Sequence, residues 1–309
     1  MTETARRQRP RKWTKRNAAP PRASFEELEI HTADGIALRA VLDDPPEGVE
    51  LAGTCVLSHA MFARKSSFGR RDRPGLSHVL AAAGFRTVAF DFRGHGDSQA
   101  TDYGYDDLVR FDMPAVVSAA RARSEDLPVI VVGHSLGAHV ALAGQGTGRL
   151  DADAIVGVSA NVWHPSLERS FARRMMKRVV ASVSVRAAER VGRVPARALR
   201  LGSDDASMRY IRDLFRSTRE AKWASADGTE DYLASLSHVT IPVANVVGGR
   251  DRLMCHPEAG AAFLARCAGP TSFYSAPSAG HMDLVTSSRN HEVVLGAVRW
   301  AAAEAKQKR

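Results

Sequence analysis

The chain has 309 residues, of which 44% are apolar and 25% charged, which suits one globular α/β domain carrying an insertion. Three cysteines form an odd set without metal-ligand spacing, so we expect no disulfide framework, no metal and a reducing compartment. No apolar run approaches the roughly 20 residues that a membrane span needs. The net charge of +9 is concentrated in two segments, residues 1–23 and the neighbourhood of residues 169–200.

Residues 1–23 are predicted to be a disordered basic tail, because arginine, lysine and proline dominate them and few apolar side chains are present. Arg6 and Arg7 are not followed by a hydrophobic region, so we expect no signal peptide and a cytoplasmic protein. An alternative role for the tail is weak contact with nucleic acid or an anionic membrane surface. A stable nucleic-acid complex is not expected.

Strands alternate with helices along most of the chain. An outer hairpin is predicted at 25–32 and 36–42, and helices are predicted at 74–83, 108–123, directly after Ser135, 257–267 and 291–304. We expect Gly144 and Gly146 to fray the helix after Ser135. Buried strands are predicted at 53–58, 86–90, 129–132, 153–158, 241–247 and 271–275. The expected fold is α/β, with a mostly parallel eight-stranded sheet flanked by helices, formed by residues 24–160 and 239–309.

Residues 161–238 contain no convincing buried strand and are predicted to form a helical lid. One helix there carries an apolar stripe, and its arginines are most simply interpreted as a solvated face. The alternative is a lid that favours anionic substrates or lipid surfaces. The stripe is expected either to pack the lid onto the core or to line an acyl pocket; its members are Leu167, Phe171, Met175, Val179 and Val183.

Residues 133–137 read Gly-His-Ser-Leu-Gly between a β-branched strand and an alanine-rich helix. This context is typical of a nucleophile elbow, in which a serine occupies a strained turn at a helix N-terminus. Side chains at positions 133 and 137 would collide with the neighbouring strand and helix. Ser135 is therefore the candidate nucleophile.

A serine nucleophile needs a base, and the base needs an acid that fixes its tautomer. Asp251 follows the strand at 241–247, and His281 follows the last strand. Both loops fall at the end of the sheet where the elbow lies, and this is the chain order Ser, Asp, His that the fold requires.

An oxyanion also needs amide donors. Leu136 supplies one N–H, and the loop at 58–62 is expected to supply a second from Met61, with Ala60 or Phe62 as alternatives. His59, His95 and His134 are interpreted mainly as scaffold histidines rather than metal ligands. Residues 91–98 lack the spacing of a dinucleotide fingerprint and are predicted to form a rigid loop beside the site.

Together, residues 57–61, 91–98, 133–137, 249–251 and 279–281 resemble the α/β-hydrolase fold superfamily, lid-bearing branch, from Phe25 to the C-terminus. The resemblance implies Ser135 as nucleophile, Asp251 as acid, His281 as base, and Leu136 and Met61 as oxyanion donors. Ala60 stands where the family usually has glycine, which leaves the position of the second donor open.

The function expected from these residues is a cofactor-free serine hydrolase that cleaves carboxylic esters, lysophospholipid-like substrates included. Thioesterase, acyltransferase, perhydrolase and peptidase activities on the same triad remain alternatives, as does a non-catalytic ligand-binding homologue. The expected partner is a small acyl substrate, and the oligomeric state is left open. Substrate contacts are expected from His59, His134, Phe62, Phe171 and Met175.

Overall fold

The computed structural model describes residues 25–307, and the predicted basic tail at 1–23 lies outside them. The strands are β1 Phe25–His31, β2 Ala37–Asp43, β3 Gly53–Ser58, β4 Phe85–Phe90, β5 Val129–His134, β6 Ala154–Val158, β7 Arg193–Val194, β8 Ala206–Ser207, β9 Val243–Gly248 and β10 Thr271–Ala276. The α-helices are α1 Leu76–Ala82, α2 Tyr105–Asp107, α3 Met113–Arg121, α4 Leu136–Gly146, α5 Phe171–Val191, α6 Met208–Arg219, α7 Tyr232–Ser235, α8 Pro257–Leu264, α9 Asp283–Thr286 and α10 His291–Gln307. A π-helical turn, Leu108–Asp112, joins α2 to α3, and 3-10 helices occupy Lys65–Ser67, Pro165–Leu167, Leu236–His238 and Ser288–Asn290.

An eight-stranded sheet organises the molecule, in the order β1-β2-β4-β3-β5-β6-β9-β10. The outer hairpin β1–β2 pairs antiparallel and β2 joins β4 antiparallel, whereas the remaining neighbours are parallel. Central strands β3, β5, β6 and β9 are buried along their whole length, as expected where helices cover both faces. The predicted α/β class and eight-stranded sheet are confirmed.

Two apolar layers hold the helices to the sheet. Side chains of α3, α4 and α8 belong to the core on one face, and those of α1 and α10 belong to the core on the other. Because parallel strands end at a common edge, the loops after β3, β5, β9 and β10 meet at one rim of this sandwich.

The helix after Ser135 does not fray at its glycines. α4 continues through Gly144 to Gly146, and its C-cap is Thr147. A Cβ atom on Gly146 would lie 2.5 Å from the Ser235 carbonyl oxygen, so glycine lets the chain at Ser235 approach the helix closely. The expectation of fraying was therefore wrong, because close packing stabilises the last turn.

Residues 161–238 are inserted between β6 and β9 and add no strand to the eight-stranded sheet. We call them the insertion. It contains α5, α6 and α7 together with the short antiparallel pair β7–β8, which the sequence did not predict. Across residues 25–307, no helix combines the length and apolar character needed to cross a bilayer.

Candidate active site

Ser135 occupies a sharp turn between β5 and α4. Its backbone angles are φ 50° and ψ −106°, a region that residues with a Cβ atom rarely adopt. The Ser135 N–H donates to the Val158 carbonyl at 2.9 Å, and its carbonyl accepts from the amides of Ala138 and His139 at 3.1 and 3.2 Å. These backbone bonds fix the turn from both sides.

The glycines flanking Ser135 are required by space. A Cβ on Gly133 would lie 2.4 Å from the Ala138 amide nitrogen, and a Cβ on Gly137 would lie 2.4 Å from the Ser58 carbonyl oxygen. The predicted collision with the neighbouring strand and helix is confirmed. Helix α4 therefore starts directly against the end of β3.

The structure brings Asp251 and His281 together although 30 residues separate them. His281 Nδ1 lies 2.5 Å from Asp251 Oδ2, and the other carboxylate oxygen accepts from the Met254 N–H at 3.0 Å. Burial raises the pKa of Asp251, but the hydrogen bond and charge of His281 outweigh it and hold the pKa below its ordinary value. The carboxylate thus stays charged and keeps the proton of His281 on Nδ1.

His134 connects the loop of His281 to the elbow. Its Nε2 lies 3.1 Å from the His281 carbonyl oxygen, and the two imidazole centroids are 5.1 Å apart. Burial, followed by the charge of His281, lowers the pKa of His134 to about 3, so the ring is neutral and donates this hydrogen bond. Because His134 directly precedes Ser135, the bond ties the His281 loop to the residue before the serine.

A cavity of about 60 Å³ opens at Ser135. The core contributes Met61 and Leu136 to its wall, and α6 of the insertion contributes Leu214 and Phe215. The remaining lining residues, which sequence reasoning did not assign to the site, are His139, Asn161, Val162, Trp163, Ser217 and Met254.

His139 was detectable from the sequence, because it lies four residues after Ser135 and so on the same face of α4. The walls from α6 and Trp163 depend on how the insertion docks, which no local pattern encodes.

Two backbone N–H groups at this cavity are available as donors. Leu136 is the first residue of α4, and Met61 lies in the loop after β3; within residues 25–307 neither amide donates a hydrogen bond. The Gly137 N–H donates to the His59 carbonyl at 3.2 Å and ties that loop to α4. Ala60 does not have a positive φ; that conformation falls at Phe62 (φ 62°), so alanine fits at position 60.

The residues predicted to contact substrate do not lie at this cavity. His59 is buried, donates from Nδ1 to the Ala60 carbonyl at 2.8 Å and accepts from the Phe92 amide at 3.2 Å. Phe62 packs against the insertion, where its carbonyl accepts from Ser203 N–H at 2.7 Å. His59 and His134 are thus scaffold histidines, and Phe62 is a contact between core and insertion.

Phe171 and Met175 lie away from the cavity at Ser135. Both line a separate cavity of about 210 Å³ on the insertion, and both are exposed. Apart from Leu167, which is buried in the core, the apolar stripe they belong to therefore neither packs the insertion onto the core nor lines the cavity at Ser135. The buried side of α5 instead consists of Lys177, Ala181, Val185 and Ala188.

Among the described residues, no group of three or more His, Cys, Asp and Glu side chains is arranged to hold a metal ion. The loop at 91–98 is held by Lys65 of the 3-10 helix Lys65–Ser67: Asp91 accepts from the Lys65 amide at 2.6 Å and pairs with the Lys65 ammonium at 2.5 Å. Both carboxylate oxygens of Asp91 therefore stabilise the loop.

Comparison with known proteins agrees with this architecture. Lysophosphatidylserine lipase ABHD12 of Rattus norvegicus and that of Gallus gallus are each 43% identical to the chain over 77 residues. This match covers 24% of the chain and only 18% and 19% of the two relatives, respectively.

Solved structures cover far more of the chain at lower identity, and so show the fold alone. DcsB in complex with its substrate analogue has a TM-score of 0.65 at 16% identity, covering 92% of this chain and 100% of that one. Est1E from Butyrivibrio proteoclasticus with bound ferulic acid has a TM-score of 0.61 at 18% identity, with 90% and 98% covered. The Paleococcus ferrophilus monoacylglycerol lipase has a TM-score of 0.58 at 16% identity, with 91% and 99% covered. The alpha/beta hydrolase family model matches residues 55–296, and the chain belongs to that family.

Proposed function

We propose that the protein is a serine hydrolase that cleaves carboxylic esters, with Ser135, His281 and Asp251 as its triad. The observation that carries the proposal is the hydrogen bond between His281 Nδ1 and Asp251 Oδ2, 2.5 Å long, in the loop that His134 holds beside Ser135. A carboxylate, an imidazole and a serine on a strained turn at one rim are the parts that acyl transfer requires.

In the proposed reaction Ser135 Oγ attacks the ester carbonyl carbon while its proton moves to His281 Nε2. Asp251 keeps the Nδ1 proton in place and stabilises the imidazolium without being protonated. The tetrahedral intermediate collapses, and the leaving alcohol takes the proton from His281. Water, activated by the same imidazole, then attacks the acyl-enzyme and releases the acid.

The negative oxygen of the tetrahedral intermediate needs hydrogen-bond donors that are already oriented. Leu136 N–H and Met61 N–H are our candidates, because both residues line the cavity at Ser135 and neither amide has another acceptor within residues 25–307. The N-terminus of α4 adds a favourable dipole at the same place. One such donor is worth about 2.7–4 kcal/mol of transition-state stabilisation.

Of the histidines near Ser135, His281 is our candidate for the general base, and His134 and His139 are not. Burial lowers the pKa of His134 and of His139 to about 3, so both rings are neutral near pH 7. His139 also lies 2.9 Å from the Tyr105 hydroxyl through Nδ1. The His281 side chain is 18% exposed, whereas those two are buried.

The cavity supports short acyl groups as substrates. Its volume of about 60 Å³ is small beside the ~300–1,000 Å³ usual for ligand pockets, and its wall is mostly apolar. Because Leu214 and Phe215 of α6 form part of that wall, we propose that the insertion acts as a lid and that longer acyl chains require it to move.

A fluorophosphonate probe with intact-mass analysis tests the nucleophile. Wild type should gain one probe adduct and Ser135→Ala should gain none. Ser217→Ala is the matched control, because Ser217 lines the same cavity, and it should label like wild type. Equal labelling of wild type and Ser135→Ala would contradict the proposal.

A panel of esters, thioesters and peptides on the labelled enzyme then assigns the bond that is cleaved. Faster turnover of p-nitrophenyl acetate than of matched thioesters and amides supports ester hydrolysis. A preference for the thioester would move the assignment to a thioesterase on the same triad. Wild-type labelling without turnover of any member would favour the non-catalytic homologue.

A further inference from the structure

Helix α5 presents its apolar side to solvent. Its inner side carries Lys177, whose ammonium lies 3.1 Å from a Glu168 carboxylate oxygen and 5.5 Å from the Trp163 ring centroid. We call its outward apolar side the α5 outer face; its members are Phe171, Met175, Met176, Val179, Val180 and Val183, between 37% and 69% exposed. The inner side also buries Ala181, Val185 and Ala188, so the helix is apolar on both sides, whereas a helix on a globular domain ordinarily turns a polar side to solvent.

The orientation of the helix is fixed by its contacts. Glu168 accepts from Lys177 at 3.1 Å and from Arg173 Nε at 2.8 Å, and both the Glu168 and Lys177 side chains are 3% exposed. Removing Glu168 would leave the buried Lys177 ammonium without its partner, which strongly destabilises a folded protein. Rotating α5 to hide its apolar side would break this cluster, so the outward orientation is held in place.

Basic side chains border the α5 outer face. Arg178, Arg186 and Arg190 form no salt bridge within the part of the chain from 25 to 307, and Arg174 lies over the Phe171 ring at 5.8 Å. The single acidic residue of the helix, Glu189, faces Arg212 at 3.9 Å. The apolar surface is thus surrounded by uncompensated positive charge.

We propose that the α5 outer face docks onto an anionic phospholipid bilayer, with the helix lying in the plane of the interface. Contiguous apolar patches of this kind are uncommon on monomeric proteins. An exposed apolar helix side with arginines at its border matches the chemistry of the headgroup region, where methionine, valine and phenylalanine enter the acyl boundary and guanidinium groups pair with phosphates. The proposal does not depend on the ester chemistry at Ser135.

The charges around the α5 outer face favour an anionic bilayer over a second copy of the chain as its binding partner. A symmetric dimer through the α5 outer face would bring two surfaces with the same arginine border together, and like charges at an interface oppose association. An anionic lipid surface instead attracts Arg178, Arg186 and Arg190. Each of these arginines should raise the partition coefficient of the protein onto anionic vesicles roughly fivefold at low salt.

Vesicle co-sedimentation of the full chain tests the proposal. Wild type should bind vesicles of equimolar phosphatidylcholine and phosphatidylglycerol, and bind phosphatidylcholine vesicles much more weakly. The triple variant Phe171→Ser/Val179→Ser/Val183→Ser should have a partition coefficient onto the anionic vesicles at least tenfold lower than that of wild type. Phe273→Ser is the matched control, since Phe273 on β10 is also 40% exposed, and it should bind like wild type.

A second variant separates charge from apolar contact. Arg178→Gln/Arg186→Gln/Arg190→Gln should weaken binding to the anionic vesicles roughly 100-fold at low salt and much less at high salt. Circular dichroism and the melting temperature of each variant check that it folds.

Three outcomes would overturn the proposal. The first is wild type that does not bind anionic vesicles. The second is binding that both α5 variants retain in full, which would assign attachment to another surface. The third is that wild type binds no vesicles and is a dimer in light scattering, whereas Phe171→Ser/Val179→Ser/Val183→Ser is a monomer. This outcome would assign the α5 outer face to a second copy of the chain.

Discussion

The backbone of Ser135 gives a stability prediction that is independent of any substrate. Its angles, φ 50° and ψ −106°, lie near the first central position of a type II′ turn, where glycine is preferred. A residue with a Cβ atom in such a region costs about 1–3 kcal/mol. Replacing Ser135 by glycine should therefore stabilise the fold while removing the hydroxyl on which the proposed chemistry depends.

The expected gain follows from the contacts at the turn. Strain relief of about 1–3 kcal/mol is opposed by about 0.5–1 kcal/mol for the greater backbone entropy of glycine in the unfolded chain. The serine side chain makes no capping hydrogen bond to α4, so no cap is lost. The backbone bond to Val158 and those from Ala138 and His139 remain. The net expectation is about 1 kcal/mol in favour of Ser135→Gly, or about 2 °C in Tm.

Urea denaturation of Ser135→Gly and Ser135→Ala measures the free energy of unfolding of each variant. Alanine keeps the Cβ atom and lacks the hydroxyl, so the difference between the two variants isolates the backbone strain. The glycine variant should have the higher free energy of unfolding at an unchanged m-value. A glycine variant equal to or less stable than the alanine variant would refute the reasoning that the elbow is strained.

Three further predictions concern the proposed triad and the cavity. Asp251→Asn should lower kcat by about 10⁴-fold, because an amide favours the wrong tautomer of His281, while the ester KM changes little; a loss below tenfold in steady-state kinetics would contradict the role of Asp251. Since the native pKa of Asp251 lies below the ordinary 3.8, the carboxylate stabilises the fold above that pH and loses this effect as pH falls through the lower native value. The Tm difference between wild type and Asp251→Asn should therefore shrink as the pH falls below about 3.8. Phe215→Ala should enlarge the cavity and shift preference in a p-nitrophenyl ester series from acetate towards longer acyl chains, and an unchanged chain-length profile would show that Phe215 does not limit the acyl site.

The sheet could be predicted because its central strands are near-continuous apolar runs rich in β-branched residues, as is typical of a parallel sheet covered on both faces. For β3 and β5 the predicted starts match those observed, and β4 and β6 differ by one residue. The elbow was predictable for a related reason: the two glycines flanking Ser135 reflect steric demands that any residue with a Cβ atom would violate. Local chemistry determines these features, so one sequence is enough to find them.

The orientation of α5 was not predictable in this way. A 3.6-residue period shows that one side of a helix is apolar, but not which side faces the core. The buried side is decided by Lys177, which is tolerated inside only because Glu168, nine residues earlier, turns back to meet it. That ion pair depends on tertiary placement of the 3-10 turn before α5. The usual assumption that apolar means buried therefore failed here.

Trp163 links the two surfaces on which the proposals rest. Its ring packs on Phe215 in the wall of the cavity at Ser135, with centroids 5.8 Å apart. The Lys177 ammonium of α5 lies 5.5 Å from the centroid of the same ring. Its indole N–H donates to the Met254 carbonyl at 3.0 Å, and the Met254 amide bonds Asp251. Because packed side chains transmit displacement rather than absorb it, a movement of α5 at a lipid surface would shift this ring and with it the wall of the cavity. The same indole therefore contacts both the wall of the candidate site and the helix that carries the α5 outer face.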